Sequence, residues 1–444
     1  MERSVLIFLA AQSPRRNVIS ARRIEGLAHY ISGYFDTYVV SGIPQNLNQS
    51  EVNHNYDIGS AKLVEIPPIF NKKRSTVKES TISLSKHSAW HLEKIARYIK
   101  REVFPILQMF FPVSPGGMVY QNQRKFLKEA EKIVIENYGK RRIYIFASYG
   151  PSFILRIANK IKKKYPSVDF VADFRDWAYL NEEGFFYDSI IYKLYTKSLL
   201  KRADKVTFVS KIMLNYYKKK LNLRQPLLHL SNGFDNSKVV VDSGKIYCEN
   251  TENREIHIVY TGSIYYKNRN PECFIQCIGK YTKLHNKKIV FLYASKNVGI
   301  MKQLVEKYGI SSIFEYKGFL SHEDSLKLQR EADILLLLAY TGKDQIIGSS
   351  IITGKLFEYL ASGRPILVIG PEHWEMREVV EADGLSRVIS DGDYKEIERF
   401  LDNFPEGMKE FNMKKRAELL EKYGYRSLSE NLRDFLMEGH NELL

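Results

Sequence analysis

The stretch Gly348–Gly370, GSSIITGKLFEYLASGRPILVIG, decides how the rest of the 444-residue chain is read. The small residues Gly348-Ser349-Ser350 predict a loop leading to Thr353-Gly354-Lys355. Leu356–Ala361 then predicts a short helix, with Gly363 closing it, because glycine readily takes the left-handed conformation of a helix end. Pro365 opens the wholly apolar run Ile366–Ile369, the pattern of a strand buried on both faces. A loop that feeds a helix N-terminus is a ready anion site, since unpaired N–H groups and the helix dipole both favour a phosphate. Lys355 adds a positive charge there, and Glu358 follows in the first turn. Glu358 has a second reading as a carboxylate that caps that turn. A capping box, however, needs Ser or Thr three residues earlier, where this chain has Lys355.

On these residues the stretch resembles the donor-binding segment of the GT-B glycosyltransferases, particularly the large retaining family 4. The resemblance implies that Thr353, Gly354, Lys355 and Leu356 surround the diphosphate of a nucleotide sugar, and that Glu358 holds the ribose hydroxyls. Many members carry a second glutamate at the position of Ser350. That departure bears on how the sugar ring is held more than on how the nucleotide is held.

At 44% hydrophobic residues, 444 residues can build two full cores. The three cysteines, Cys248, Cys273 and Cys277, match no disulfide framework and no paired metal spacing, so a reduced, cytoplasmic setting is expected. The N-terminal run Val5–Ala11 is short for a signal-peptide core and reads as a first strand. No run approaches the ~20 apolar residues of a membrane-spanning helix. The charge is lopsided. Residues 1–235 carry 38 Lys and Arg against 20 Asp and Glu, while residues 236–444 carry 29 against 31. The whole +16 excess thus lies in the N-terminal half. Solvated helix faces, an anionic membrane surface, an anionic substrate or nucleic acid would each account for it.

In chain order, Val5–Ala10 predicts a strand, Gln12–Arg16 a loop, Ile19–Gly33 a helix and Tyr38–Val40 a second strand. Family members place a glycine-rich loop near the donor phosphates after that first strand. Here the loop holds Ser13, Pro14, Arg15 and Arg16, and its arginines are expected either to replace glycine amides electrostatically or to form a surface turn. Trp90–Arg101 has apolar residues at helical spacing, with Lys94, Arg97, Lys100 and Arg101 largely off that face, followed by the apolar Val103–Pro112. This pattern fits an interfacial membrane helix and equally a core helix with a buried loop. Ile143–Ala147 and Val168–Ala172 predict buried strands, the second ending in Asp173-Phe174-Arg175-Asp176-Trp177. Ligands of doubly wound sheets collect where strands end, so Asp173, Arg175 and Asp176 are candidate catalytic residues. The alternative is a structural Arg–Asp pair that closes the loop. The segment resembles the DFRD-type stretch in the acceptor domain of polysaccharide-building family members. Asn232-Gly233-Phe234-Asp235 resembles the family's end of the first domain.

The polar segment 236–255 reads as a linker, after which Ile256–Tyr260, Ile289–Tyr293, Phe314–Phe319 and Ile334–Leu338 predict strands. The family's second donor-phosphate loop falls at Thr261-Gly262-Ser263, which places Gly262, Ser263, Lys267 and Arg269 among the donor-binding candidates. Tyr316–Phe319 resembles the stretch that borders the nucleobase. Asp391-Gly392-Asp393 is acidic enough to suggest a metal pair, but Asp-Gly is turn chemistry before the helix Tyr394–Phe400. Tyr425–Glu438 reads as a helix of the kind that in GT-B folds crosses back to the first domain.

Two βα-alternating blocks joined by a polar linker predict an α/β chain with two parallel sheets, and the resemblance makes them two Rossmann-like, doubly wound domains facing across a cleft. The expected domains are residues 1–235 on the acceptor side, a linker at 236–255, a nucleotide-sugar-binding domain at 256–424 and a C-terminal helix at 425–444. The expected activity is transfer of a sugar from a nucleotide-sugar donor to a hydroxyl acceptor, a glycan or a lipid-linked precursor, with retention implied by the resemblance. The nucleotide sugar is a substrate, and neither a cofactor nor a metal is expected. A GT-B nucleotide-sugar 2-epimerase is the nearest rival, but the acid/base carboxylates it needs do not stand out. No nucleic-acid-binding module is recognisable, so nucleic acid is not an expected partner. The expected location is the cytoplasm, with peripheral attachment to the inner face of the cell membrane as an open alternative.

Overall fold

The computed structural model of the chain describes residues 2–43, 52–67, 122–177, 190–235, 255–265, 268–285, 287–342, 344–404 and 406–438. They divide into two compact units. The first takes Met1–Phe208, Tyr217–Leu228 and Phe435–Leu444, and the second takes Val209–Tyr216 and His229–Asp434. Most of the linker expected at 236–255, the Trp90–Arg101 and Val103–Pro112 segments, and Lys267 lie outside the described residues.

In the first unit the strands are β1 (Val5–Ala10), β2 (Asp36–Gly42), β3 (Lys62–Ile66), β4 (Ile143–Ser148), β5 (Asp169–Phe174), β6 (Lys205–Phe208) and β7 (Leu227–His229). They form a sheet in the order β3-β2-β1-β4-β5-β6-β7. Pairing is parallel from β3 through β6. Every residue of β1 and of β4 is buried, because helices cover both faces of such a sheet. Helix α1 (Ile19–Ile31), α2 (Gln123–Asn137) and α3 (Phe153–Lys164) supply part of that cover. In α3 the apolar Phe153, Ile154, Leu155, Ile157, Ala158 and Ile161 are buried, while Lys162, Lys163 and Lys164 sit in the last turn, where the helix dipole favours cations. Helices α4 (Ile190–Leu200) and α5 (Lys211–Leu221) follow.

The second unit holds β8 (Ile256–Tyr260), β9 (Ile289–Ala294), β10 (Phe314–Gly318), β11 (Ile334–Leu338), β12 (Ile366–Ile369) and β13 (Arg387–Ile389). The sheet is parallel, in the order β10-β9-β8-β11-β12-β13. Its helices are α6 (Glu272–Leu284), α7 (Gly299–Tyr308), α8 (His322–Glu331), α9 (Gln345–Ser350), α10 (Gly354–Ala361), α11 (Arg377–Glu381), α12 (Tyr394–Asp402) and α13 (Met413–Glu421), followed by α14 (Tyr425–Met437), whose residues from Phe435 on belong to the first unit. Alternate strand residues feed two cores. Ile258, Phe291, Leu336 and Leu367 pack on one face with α6, α7 and α12. Val259, Leu292, Leu335, Leu337 and Val368 pack on the other with α10. The period-two alternation of a strand is what sorts them.

Two details differ from the sequence reading, and a third agrees with it. Gly348-Ser349-Ser350 is not a loop but the end of α9, which Asp344 caps by accepting the Ile347 N–H at 3.0 Å. Asn232–Asp235, placed with the first domain on sequence, packs in the second unit, where Phe234 bridges to Gly424 and accepts the Tyr425 N–H at 3.0 Å. Asp391-Gly392-Asp393 is a turn whose Gly392 has φ 93° and whose Asp393 caps α12. The chain's end is held by chemistry rather than by apolar packing alone. Buried Lys205 of β6 donates its Nζ to the carbonyls of Phe435, Leu436 and Glu438, satisfying acceptors that the end of α14 leaves open. Burial draws the Lys205 pKa downward.

Candidate functional site

In each sheet the strand order reverses once, between β1 and β4 in the first unit and between β8 and β11 in the second. Crevices at such switch points, beyond the carboxyl ends of the strands, are where doubly wound sheets hold ligands. The sequence-predicted residues fall at both.

In the second unit the loop after β8 and the loop after β11 are tied together. Thr341 donates its N–H to Asn268 O at 2.9 Å, and its hydroxyl accepts the Asn270 N–H at 2.9 Å. The glycines there are required by close approach. A Cβ on Gly262 would lie 2.5 Å from the Tyr260 ring, and one on Gly348 would lie 2.3 Å from the Tyr340 ring. Beyond the β11 loop comes α10. Its N-cap, Thr353, has an extended backbone, and its buried hydroxyl makes no cap bond and no other hydrogen bond in the described structure. An N-cap threonine ordinarily accepts a first-turn N–H; here the Leu356 N–H goes to the Thr353 carbonyl at 3.1 Å instead, and the buried N-cap hydroxyl is left for something else.

Because α10 starts at Gly354 rather than Leu356, Glu358 falls in its second turn, not the first as expected, and Lys355 occupies the positive end of the dipole with no acidic residue in the first turn, a placement that the dipole disfavours. Its Nζ meets Glu358 Oε2 at 3.0 Å. Leu356 is fully buried and anchors this face of α10. Ser350 is also buried, its hydroxyl donating to Ile347 O at 2.7 Å, so this side chain is spent on closing α9. Arg269 folds over the exposed ring of Tyr265, 5.4 Å from its centroid, while Ser263 is exposed. At the ends of β9 and β10, Tyr316 OH donates to Ser295 O at 2.7 Å, and the half-exposed Phe319 ring lies under Lys296.

Sequence reasoning missed the residues behind Glu358. Gln329 of α8, fully buried, directs its Nε2 to Thr261 Oγ1 at 3.1 Å, Ser325 Oγ at 3.1 Å and Glu358 Oε2 at 3.4 Å. His322 Nδ1 lies 4.0 Å from Glu358 Oε1. Thr261 donates its N–H to Tyr359 OH at 3.0 Å, and burial pushes that phenol's pKa up to about 12. One signal was available: Ser325 and Gln329 stand four apart on one helical face, the spacing at which polar side chains meet.

The first-unit candidates part company. Asp173, at the end of β5, has no exposed side-chain surface. It pairs with equally buried Arg23 at 2.7 Å, and accepts the hydroxyls of Thr207 at 2.7 Å and Ser148 at 2.8 Å. Its carboxylate is engaged by these structural partners, in line with the structural alternative to a catalytic role. Asp176 stays at the surface, whereas Arg175 is mostly buried. Asp176 is 60% exposed and lies 3.1 Å from Arg175, which donates to Gly150 O at 3.1 Å. The arginines of the loop after β1 have partners within the chain. Glu65 of β3 takes the Ser13 hydroxyl at 2.7 Å and Arg15 at 3.0 Å, and Arg16 donates to Gln12 Oε1 at 2.7 Å. Among the described residues no cluster of three His, Cys, Asp or Glu could hold a metal ion, and no helix is long and apolar enough to cross a membrane. Cys273 and Cys277 are buried free thiols, their pKa values raised by burial to about 11 and about 12.

Compared by sequence, the chain matches no protein-family model and no curated protein. Compared by structure it is similar to sucrose-phosphate synthase from Thermosynechococcus elongatus, with TM-score 0.61 and 10% identity over 98% of this chain and 99% of that one. It is similar to HepE from Anabaena in complex with UDP and glucose, with TM-score 0.61 and 11% identity over 98% and 99%. It is also similar to WaaG, a glycosyltransferase involved in lipopolysaccharide biosynthesis, with TM-score 0.56 and 12% identity over 98% and 100%. At such identities the likeness establishes the fold: two Rossmann-like domains of the GT-B kind.

Proposed function

We propose that the protein is a glycosyltransferase that moves a sugar from a nucleotide-sugar donor to a hydroxyl acceptor. The observation that carries this reading is the N-terminus of α10, where a lysine at the wrong end of a dipole adjoins a buried, unpartnered threonine hydroxyl at a switch point. Both features find a purpose in a diphosphate. Breaking the anomeric C–O bond builds negative charge on the departing diphosphate, and preorganised amides with Lys355 would stabilise it without a metal. Glu358 takes the ribose hydroxyls, a role the resemblance implies. Lys267, outside the described residues, is a second cation for the same phosphates. Retention at the anomeric carbon is likewise proposed from the resemblance. HepE's complex with UDP and glucose supports the donor class. On the acceptor side the reading assigns Arg175 and Asp176, with Asp173 as their support.

The test is calorimetric. Lys355→Ala is expected to weaken nucleoside diphosphate binding by about 1.5–3 kcal/mol, the scale of a hydrogen bond to a charged group. Unchanged affinity would remove the assignment. Turnover of a panel of nucleotide sugars would then identify base and sugar.

The acceptor is proposed to be a lipid-linked or polysaccharide precursor, reached by docking the basic half on an anionic membrane. Its support is the charge split, 38 against 20 in residues 1–235. Each Lys or Arg near such a surface contributes ~1 kcal/mol, screened over ~10 Å at 0.1 M salt. The protein is therefore expected to co-sediment with phosphatidylglycerol vesicles at low salt and to be released at high salt. Equal partitioning to phosphatidylcholine vesicles, or none to either, would reject docking.

A further inference from the structure

We propose that Gln329 is a positioning residue that holds Glu358 in place for a ribose diol and couples it to the loop after β8; this rests on the donor reading above. Two of the neighbours of Glu358 Oε2 are of opposite character. Lys355 is mobile in principle, one-third exposed, charged, and drawn away from Glu358 by any phosphate that binds at the α10 N-terminus. Gln329 is neutral, fully buried and set between the hydroxyls of Thr261 and Ser325. When Lys355 turns to the phosphates, the Gln329 amide is the neighbour that cannot follow. It keeps Oε2 fixed, so the carboxylate enters binding already oriented, at little entropic cost.

The amide also links two loops. Thr261 Oγ1 accepts from Gln329 and lies 3.2 Å from Tyr359 OH, which in turn accepts the Thr261 N–H. Glu358, Gln329, Thr261 and Tyr359 thus form one chain of contacts from α10 to the end of β8. A purely structural role explains this side chain poorly. Gln329 Oε1 is buried without a hydrogen-bond partner, a cost that an apolar residue of equal size would avoid.

The experiment uses uridine, adenosine and guanosine diphosphates and their 2′,3′-dideoxy counterparts, titrated calorimetrically into the full chain. Wild type is expected to prefer the ribose form of its best ligand by tenfold or more. Gln329→Leu and Gln329→Met are both expected to lose about tenfold affinity for that form, and to bind the dideoxy form within a factor of two of wild type. The preference thereby disappears, as it does in Glu358→Gln. If either Gln329 variant folds and keeps the preference, Gln329 does not position Glu358, and the donor reading stands. If both variants weaken both ligands equally, the residue serves packing alone and the proposal fails. If wild type shows no preference, the ribose role of Glu358 falls, and this inference falls with it.

Discussion

Asp173→Ala is expected to destabilise the first unit by about 3–5 kcal/mol, because it leaves the Arg23 guanidinium buried without a counter-charge. The same change strands the hydroxyls of Ser148 and Thr207. At the ~2–4 °C per kcal/mol of a domain this size, the melting temperature should drop by roughly 10 °C. Asp176→Asn, three residues on, is expected to behave oppositely. Its side chain is 60% exposed, so the melt should move by no more than ~0.5 kcal/mol, while turnover falls with nucleotide affinity unchanged, the pattern of a group acting in the transition state. Differential scanning calorimetry beside a turnover assay separates the two. A melt of Asp173→Ala within 2 °C of wild type, taken here as roughly the shift from 1 kcal/mol, would show the pair to be dispensable. An Asp176→Asn enzyme with normal turnover would leave that aspartate a surface partner of Arg175.

Arg416→Leu is expected to cost the second unit a similar amount. Arg416 is fully buried on α13. It bridges Arg364 O at 2.7 Å, Ser386 Oγ at 2.8 Å and the Asp383 carboxylate, whose other oxygen caps the turn before β13 by accepting the Leu385 and Ser386 N–H groups. Removing the arginine isolates a buried carboxylate and the Arg364 carbonyl together, for about 3–5 kcal/mol. Asp383→Asn with Arg416→Leu should recover part of the loss, since the stranded charge is gone while the asparagine oxygen still accepts from the turn. Urea unfolding followed by tryptophan fluorescence measures both. A double variant no more stable than Arg416→Leu alone would mean that the isolated charge was not the cause.

The inner strands of both sheets were legible in the sequence because burial on two faces demands continuous apolar runs, whereas the edge strands β3 and β13, which carry charged residues, were not read. Val5–Ala10, Ile256–Tyr260, Ile334–Leu338 and Ile366–Ile369 are read end to end. The α10 start was legible too, from Lys355 and Glu358 beside Gly354, since helix ends are set by local chain chemistry. Helix α9 was not. Its Gly348-Ser349-Ser350 are weak helix formers, and what accompanies the helix is a cap from Asp344 and a close approach of Gly348 to the Tyr340 ring.

Which polar residues are free for chemistry was beyond the sequence altogether. Arg23 and Asp173 are 150 positions apart, and Arg15 and Glu65 are 50 apart. The sequence by itself determined the period, composition and charge of each segment, and hence two wound sheets and the lysine-bearing start of α10. Only the tertiary structure decided that Asp173 and Arg15 are already paired, that Ser350 closes a helix and that Gln329 stands behind Glu358. Hydrophobic periodicity is written into neighbouring residues, whereas the partner of a charge is chosen by strands and helices that meet only when the chain has folded.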